Sequence, residues 1–512
     1  MGGSTCGSPP SSTLESFGHA VGSRLLLAPC QNTGPWAPLA ASAFEKLRRQ
    51  TTTNLADDLR DHGLMEDRQS VLLNAANRAC AYLDGVDRRS VAPASEALAR
   101  LSKLGGDLPL DGENPSAVLA LLDEVGSPAT VANAGGRYFG FVNGGSLPAA
   151  LGASVLAAAW DQNAALRVMS PVAAALEDIS LQWLCRLLQL PPDCGGAFVT
   201  GATMANFACL AAARHSLLAR AGWDVEADGL FGAPPITVIV GAEAHASLKK
   251  ALALSGLGRN RVMVVPADAQ GRMIASALPQ VSGPTIICLQ AGNVNSGAFD
   301  PAIPAKGDAW VHVDGAFGLW AAAAPARAHL AAGLGDADSW ATDAHKWLNV
   351  PYDSGLAFVR DAKALRIAMS LTDAAYLTPG DAREPMHYTP ESSRRARGIE
   401  VWAALRSLGR NGLAELIERT CRHATRFAEG LTAAGFSVLN DVVINQVLVS
   451  FGPNTPEVIR RVQHEGTCWC GATVWQGIPA MRISVSSWLT TDEDVDRSIA
   501  AIVAQALACA AL

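Results

Sequence analysis

Six short apolar runs rich in β-branched residues alternate with stretches of helical periodicity through the middle of the sequence. They are GAFVTGA, ITVIVGAE, RVMVVPAD, TIICLQAG, AWVHVDGA and SGLAFVRD, all between Pro128 and Arg360. Strands that alternate with helices build βαβ units, so this order predicts a mainly parallel sheet with helices on its faces. Parallel sheets collect ligands at the carboxyl ends of their strands. The small and polar residues that close these runs are therefore where chemistry is expected.

The flanks read differently. From Leu39 to Leu122 apolar residues recur at three- and four-residue spacing, as in SVLLNAANRACAYLDGV, which predicts an N-terminal helical segment. The final third holds a long helical stretch (397–435), then SVLNDVVINQVLVSF and MRISVSSW, and ends on a further helical pattern, an order that suggests a small α+β domain. A chain of 512 residues exceeds what one core usually supports. The expected division is a Gly-, Ser- and Pro-rich disordered leader over 1–38, a helical segment over 39–125, a large α/β domain over 126–375, and over 376–512 a mobile loop, the long helix and the small domain.

Composition excludes several classes. A formal charge of -7, with no cluster of Lys and Arg interleaved with aromatics, argues against a nucleic-acid surface. The apolar run LPAALGASVLAAAW (147–160) is too short to span a bilayer and runs into Asp161, Gln162 and Asn163, so a buried helix is expected and no membrane partner. The first residues lack a basic region followed by an apolar one, the pattern of a secretory signal. Eleven cysteines lack paired spacing, and Cys468 and Cys470 in CWC lack the second pair that a zinc site needs. No metal site is indicated, and free thiols in a reducing cytoplasm fit this usage. Trp310, Trp320, Trp340 and Trp347 are expected to pack the core.

Against that background two segments stand out. In AWVHVDGAFGLW (309–320) a strand ends in Asp314 followed by small residues. In DADSWATDAHKWLNVPYDSG (336–355) Lys346 lies beside His345 and Trp347 in an apolar neighbourhood, a poor setting for a solvated surface lysine. An amine that attacks an aldehyde must lose its proton part of the time, which burial near other cations favours. A pyridine ring works as an electron sink only while its nitrogen is protonated, and an ionised carboxylate such as Asp314 keeps it so. A phosphate needs an anchor, and FVTGATMANFACLAAARH (198–215) offers strand, small-residue turn and helix, with backbone N–H groups and Thr203 at the helix start. Thr203 could equally cap that helix. His245, in IVGAEAHASLKKAL, follows another strand and opens another helix, placing it to stack on a cofactor ring or to act as a hydrogen-bonded helix-terminal histidine. Aldehyde, pyridine and phosphate together describe pyridoxal 5'-phosphate.

HVDGAF and DAHKWL, with the gap between them, resemble the Schiff-base signature and upstream aspartate of the group II pyridoxal-phosphate-dependent amino-acid decarboxylases, the family of aromatic-amino-acid, glutamate, cysteine-sulfinate and diaminobutyrate decarboxylases. The similarity runs from about Leu39 to the C-terminus. The resemblance implies a type I pyridoxal-phosphate fold and a homodimer with its site at the dimer interface. It implies Lys346 as the lysine that carries the cofactor, Asp314 as the pyridinium partner, Ala316 as a small residue beneath the ring and His245 stacked above it. Ala202 and Thr203 match the phosphate-binding turn, and His345 the histidine before the lysine. Asp343 stands where some members have asparagine, and its role is open. Tyr376 in LTDAAYLTPGD matches a loop tyrosine that returns a proton after carbon dioxide leaves, and Arg482 resembles an arginine that reaches the site from the C-terminal domain. The family often has consecutive threonines near the cofactor's 3-oxygen; this chain has GNVNSGAFD, so Asn293 offers an amide there instead of a hydroxyl.

The expected reaction is decarboxylation of an L-amino acid to an amine and carbon dioxide, through a Schiff base on Lys346. Transamination, oxidative deamination and carbon–carbon lyase chemistry remain possible on this scaffold, because a fold alone does not select the reaction. A catalytically silent homologue would be expected to lack the lysine or the aspartate, and both are present. The segment GRYFGFVNGGSLP (136–148), by similarity on the substrate side, shows no basic cluster, which leans toward a neutral aliphatic or aromatic substrate and leaves diaminobutyrate open.

Overall fold

The computed structural model describes residues 66–280, 282–303, 307–370 and 382–511, so the expected leader and Tyr376 lie outside the described residues. The chain divides into two units, Met1–Val71 with Pro109–Val118, and Leu72–Leu108 with Leu119–Leu512. In the first, the Ser116 amide donates to Glu66 Oε2 at 3.1 Å. The second carries both sheets.

In chain order the helices α1 (Arg68–Gly85), α2 (Ser95–Arg100) and α3 (Pro115–Ala129) precede strand β1 (Tyr138–Phe139). Helices α4 (Pro148–Trp160) and α5 (Pro171–Leu187) follow, each with proline in its first turn, where the missing N–H costs nothing. Next come β2 (Gly195–Val199), α6 (Ala202–Arg220), α7 (Val225–Asp228), β3 (Thr237–Gly241), α8 (Ala246–Leu254), β4 (Val262–Val265), β5 (Thr285–Gln290), β6 (Trp310–Asp314), β7 (Ser339–Asp343), β8 (Gly355–Val359) and α9 (Ala362–Met369). The chain closes with α10 (Gly398–Ala433), β9 (Ser437–Val438), β10 (Gln446–Ser450), α11 (Thr455–Glu465), β11 (Trp469–Trp475), β12 (Ile478–Ser484) and α12 (Asp492–Ala510).

Seven strands form the large sheet in the order β2-β8-β7-β6-β5-β3-β4. Only β8 runs antiparallel to its neighbours. Strands β5, β6, β7 and β8 are buried along their whole length, which is why the runs of β5 and β8 are nearly continuously apolar rather than alternating. Along β6 the pleat still sorts side chains: Val311 and Val313 join the core that holds Trp320, Trp340 and Trp347, while Trp310 joins the opposite core beneath α6 and α8. All four tryptophans are buried, as expected. The six expected strands are all present, and β7, in the segment SWATD, is a seventh that the apolar pattern did not reveal.

The second sheet has the order β1-β11-β12-β10-β9. Strand β1, more than three hundred residues upstream of its partner, pairs with β11 through Tyr138↔Trp469 and Phe139↔Cys470. Helices α10, α11 and α12 cover this sheet with Phe427, Leu431, Val458, Val462, Val495 and Ile502. The long helix bends at Gly409, whose φ of 60° and ψ of -175° lie outside the helical region.

Helix α4 corrects one expectation. The run 148–160 is helical, but only Ala150 and Ala157 are buried, and Val155, Leu156 and Trp160 are 44–53% exposed. A helix apolar on all sides gives no sign of which face its own chain will cover.

Candidate active site

Strand β6 delivers Asp314 to the carboxyl edge of the large sheet, 3% exposed. Its Oδ2 accepts from Asn206 Nδ2 of α6 at 3.2 Å, and its Oδ1 from the Ala316 amide at 3.3 Å. Burial pushes the Asp314 carboxyl up; His245, Lys346 and the Asn206 amide act against that, and Asp343 adds to it. Behind Asp314 on the same face of β6 stand His312 and Trp310, with Ser339 of β7 opposite His312 in register. Asn206 Oδ1 lies 2.8 Å from His312 Nε2, and His312 Nδ1 lies 2.9 Å from Ser339 Oγ.

The next strand ends in Asp343, whose amide donates to the Ala316 carbonyl at 2.8 Å and ties the two strand ends together. The turn beyond it is anchored on several sides. The Ala344 and His345 amides both donate to the Ser354 carbonyl. Trp347 is fully buried and its indole donates to Thr420 Oγ1 of α10 at 2.8 Å. Asn349 donates to the Trp347 and Ser486 carbonyls and accepts from the Trp488 amide, linking the turn to the second sheet. Gly144 presses on the Lys346 carbonyl so closely that a Cβ there would sit 1.9 Å from the oxygen. Lys346 itself keeps a reachable amine: its side chain is 18% exposed, against 3% for Asp343, whose Oδ2 it meets at 3.0 Å.

Asp343 also reaches the start of α6. Its Oδ1 accepts from the Ala202 amide at 2.6 Å and lies 3.6 Å from His345 Nε2. Gly201, not Thr203, is the residue that caps α6, and it does so without a side chain. The close approach requires glycine at 355, since a Cβ there would lie 2.4 Å from Gly201 Cα. Thr203 occupies the second helical position, half-buried, and no hydrogen bond joins its hydroxyl to the described residues. With the Ala202 amide spent on Asp343 and the Met204 and Ala205 amides donating to the Gly201 carbonyl, the Thr203 amide and hydroxyl are the donors at this terminus without a hydrogen bond among the described residues, and they suit a phosphate. His345 Nδ1 accepts from the Ser354 amide at 3.0 Å, so its neutral form presents Nε2–H to Asp343; its ring stacks on Tyr352 at 4.3 Å, and burial lowers its pKa.

His245 caps α8, with Nδ1 accepting from the Ser247 amide at 3.2 Å. The helix-terminal reading is thus realised, and it leaves Nε2 directed elsewhere. A small cavity is lined by His245, Glu243, Gln290, Asp300 and Asp314, so His245 and Asp314 share a wall. Burial lowers the His245 pKa, and the charges that modify it are Asp314, Lys346, Arg482 and Asp343, which places all four in its neighbourhood. Arg482 on β12 is half-buried, has its pKa lowered by burial, and makes no ion pair among the described residues. Tyr138, stacked on Trp469 at 5.1 Å, is raised to about 12 by burial against the pull of Arg482. Asn293 is spent on its own turn: Oδ1 accepts from the Asn295 and Ser296 amides and Nδ2 donates to Gln290 Oε1, leaving at most one amide hydrogen for a ligand.

The structure thus brings Lys346, Asp343, His345, Ala202, Thr203, Asp314, Ala316, His245 and Arg482 into one neighbourhood, and Tyr376 lies outside the described residues. Asn206, His312 and Ser339 were not singled out by sequence. The alternation W-V-H-V-D was the available signal, because every second residue of a strand faces the same way.

A family model described as the pyridoxal-dependent decarboxylase conserved domain matches residues 135–452. The L-2,4-diaminobutyrate decarboxylase of Rhizobium meliloti (strain 1021) is 29% identical over 382 residues, 69% of this chain and 74% of that protein. The aromatic-L-amino-acid decarboxylase of Drosophila lebanonensis is 29% identical over 369 residues, 65% of this chain and 88% of its own length. Among solved structures, Oryza sativa TDC with PLP and tryptamine superposes with a TM-score of 0.78 at 23% identity, covering 86% of this chain and 98% of the other. That agreement supports the type I pyridoxal-phosphate fold. With the family model spanning well over half of the sequence, the chain belongs to the pyridoxal-dependent decarboxylase family and is a pyridoxal-phosphate-dependent amino-acid decarboxylase.

Proposed function

We propose that the chain converts a neutral L-amino acid to its amine and carbon dioxide, with Lys346 as the amine that carries pyridoxal 5'-phosphate. The observation that carries the reading is the meeting of three groups at one sheet edge: the reachable Lys346 amine, the buried Asp314 carboxylate, and the α6 N-terminus with its Thr203 hydroxyl, unpartnered among the described residues. These match the aldehyde, the ring nitrogen and the phosphate of the cofactor, so the residues fit the group. When bound, it supplies an electrophilic carbon and an electron-accepting ring.

The protein's own work is positional. Asp343 holds the Lys346 ammonium and is placed to take its proton. The Ala202 turn and Thr203 would hold the phosphate, and Asp314 would keep a proton on the ring nitrogen, with His245 and Ala316 as contacts of the ring. Arg482, unpaired among the described residues, is available to a substrate carboxylate. Tyr376 returns a proton to the substrate carbon. The aromatic group of Tyr138, Trp469 and Phe141, with centroids 5.1 and 5.3 Å from Trp469, supports an apolar or aromatic substrate side chain.

The reading includes a cytoplasmic homodimer. Val155, Leu156, Trp160, Val168, Met169 and Val172 are all exposed between α4 and the start of α5, an apolar surface that a second copy would cover. Nine described cysteines are all unpaired, which suits a reducing compartment, and among the described residues no helix is long and apolar enough to cross a membrane.

The test is an absorbance spectrum with pyridoxal 5'-phosphate before and after borohydride, on the wild type and Lys346→Ala, then a screen of amino acids for carbon dioxide and amine. A band trapped by borohydride only with Lys346 present, and carbon dioxide with amine from a neutral substrate, are expected. Carbon dioxide only from diaminobutyrate or an acidic amino acid overturns the substrate class, and aldehyde or keto-acid products overturn the reaction. Sedimentation velocity reads the dimer.

A further inference from the structure

We propose that Trp310, Ser339, His312 and Asn206 form a one-way hydrogen-bond chain that keeps the Asn206 amide hydrogens, and not its carbonyl oxygen, against Asp314, which makes His312 a positioning residue for the pyridine end of the site. The inference rests on the reading of Asp314 as the ring-nitrogen partner. The links are Trp310 Nε1 to Ser339 Oγ at 2.8 Å, Ser339 Oγ to His312 Nδ1 at 2.9 Å, His312 Nε2 to Asn206 Oδ1 at 2.8 Å and Asn206 Nδ2 to Asp314 Oδ2 at 3.2 Å.

Hydrogen positions along such a chain follow from its ends. An ionised carboxylate only accepts, so Asn206 must present Nδ2 to Asp314. Asn206 Oδ1 then faces His312 and accepts from Nε2–H. That leaves Nδ1 bare, so it accepts the Ser339 hydroxyl hydrogen. The Ser339 oxygen in turn accepts from the Trp310 indole, which can only donate. Starting from Trp310 allows the same assignment. The alternative tautomer, with hydrogen on Nδ1, sets two acceptors against each other unless Asn206 turns over, and turning it sets a carbonyl oxygen against the carboxylate.

No water competes at these links, because Trp310 is 4% exposed, Asp314 3%, and Ser339, His312 and Asn206 0%. A mis-set link would therefore leave a buried polar atom unpaired. Burial also holds the His312 pKa down at about 3, so the ring stays neutral wherever the enzyme works. The charged groups near Asp314 are His245 and Lys346, which lower its pKa, and Asp343, which raises it; none of them belongs to the chain.

The first test needs no cofactor. Nitrogen-15 spectra of selectively histidine-labelled protein, with the His312 signal assigned by its loss in His312→Leu, are expected to show a neutral ring protonated on Nε2 from about pH 8 to pH 5. A ring protonated on Nδ1, or a cationic one, overturns the proposal. The second test measures pyridoxal 5'-phosphate affinity and the absorbance spectrum of the loaded protein alongside urea unfolding. His312→Leu is expected to weaken cofactor binding about tenfold and shift the spectrum, while His312→Gln, which can still donate to Asn206, restores most of both. Equal impairment of the two variants at equal stability, or unchanged binding in His312→Leu, overturns it. Asp314→Asn separates the levels: if it leaves cofactor binding intact, the reading of Asp314 is what fails, and if only the His312 variants are silent, the chain alone fails.

Discussion

The two flanks of the site solve opposite problems. On the β6 side Asp314 is backed by an amide, an imidazole, a hydroxyl and an indole, all neutral and all within 4% exposure. On the β7–β8 side the charged pair of Lys346 and Asp343, with His345 beside it, lies where β7 gives way to a turn, with the lysine side chain 18% exposed. The contrast follows the chemistry expected of each. A carboxylate that must hold one charge throughout is best supported by fixed dipoles in a dry sheet. An amine that must gain and lose a proton needs an ionisable partner and some access to solvent.

Breaking the charged flank should do most damage. Lys346→Ala is expected to lower carbon dioxide release by about 10^3-fold or more and to abolish borohydride trapping, because the covalent anchor is gone. Residual trapping would mean that another amine serves and the contrast is wrongly drawn. The two carboxylates sharpen it further. Asp314→Asn is expected to cost about 10^2-fold in turnover, since no charge remains for the ring nitrogen, and Asp343→Asn only about tenfold, since its amide oxygen can still accept from Ala202. The reverse order would show that the lysine's proton limits turnover more than the ring's.

The dry flank predicts a pH effect on stability. The His312 pKa falls from 6.5 to about 3 on folding, so the unfolded chain binds the proton more readily. Its contribution is complete above pH 6.5 and is lost as pH falls toward 3, at up to about 1.4 kcal/mol per pH unit. Urea unfolding across this window should show that slope, and His312→Gln should flatten it; an unchanged slope in the variant would assign it to other groups. The smallest effect belongs to the far end of the chain. Trp310→Phe, which keeps the ring and removes the N–H, is expected to cost about 1 kcal/mol of stability and less than about threefold in cofactor affinity. A loss as large as that of Asp314→Asn would make the indole more than an end-stop.

Legibility differs between the flanks for a physical reason. Lys346, His345 and Asp343 are near neighbours in sequence, so one segment displayed their cluster. The dry flank joins Asn206 to His312 and Asp314 across 106 and 108 residues, and His312 to Ser339 across 27, distances over which only pairing register and helix packing decide contact. Strand β7 hid for the same reason. Ser339, Thr342 and Asp343 look like surface residues, yet all are buried because neighbouring strands and α6 satisfy them.

The sequence by itself determined the alternating α/β order, the parallel sheet, and the placing of Asp314, His245 and Lys346 at strand ends, because these depend on local periodicity and on residue chemistry. Tertiary structure alone decided that β1 joins the second sheet, that Gly201 and not Thr203 caps the start of α6, that one face of α4 stays bare, and that a histidine two residues before Asp314 faces an asparagine on α6. Each of those outcomes depends on which surface of an element meets another, and an apolar or polar residue carries no record of its partner until the chain has packed.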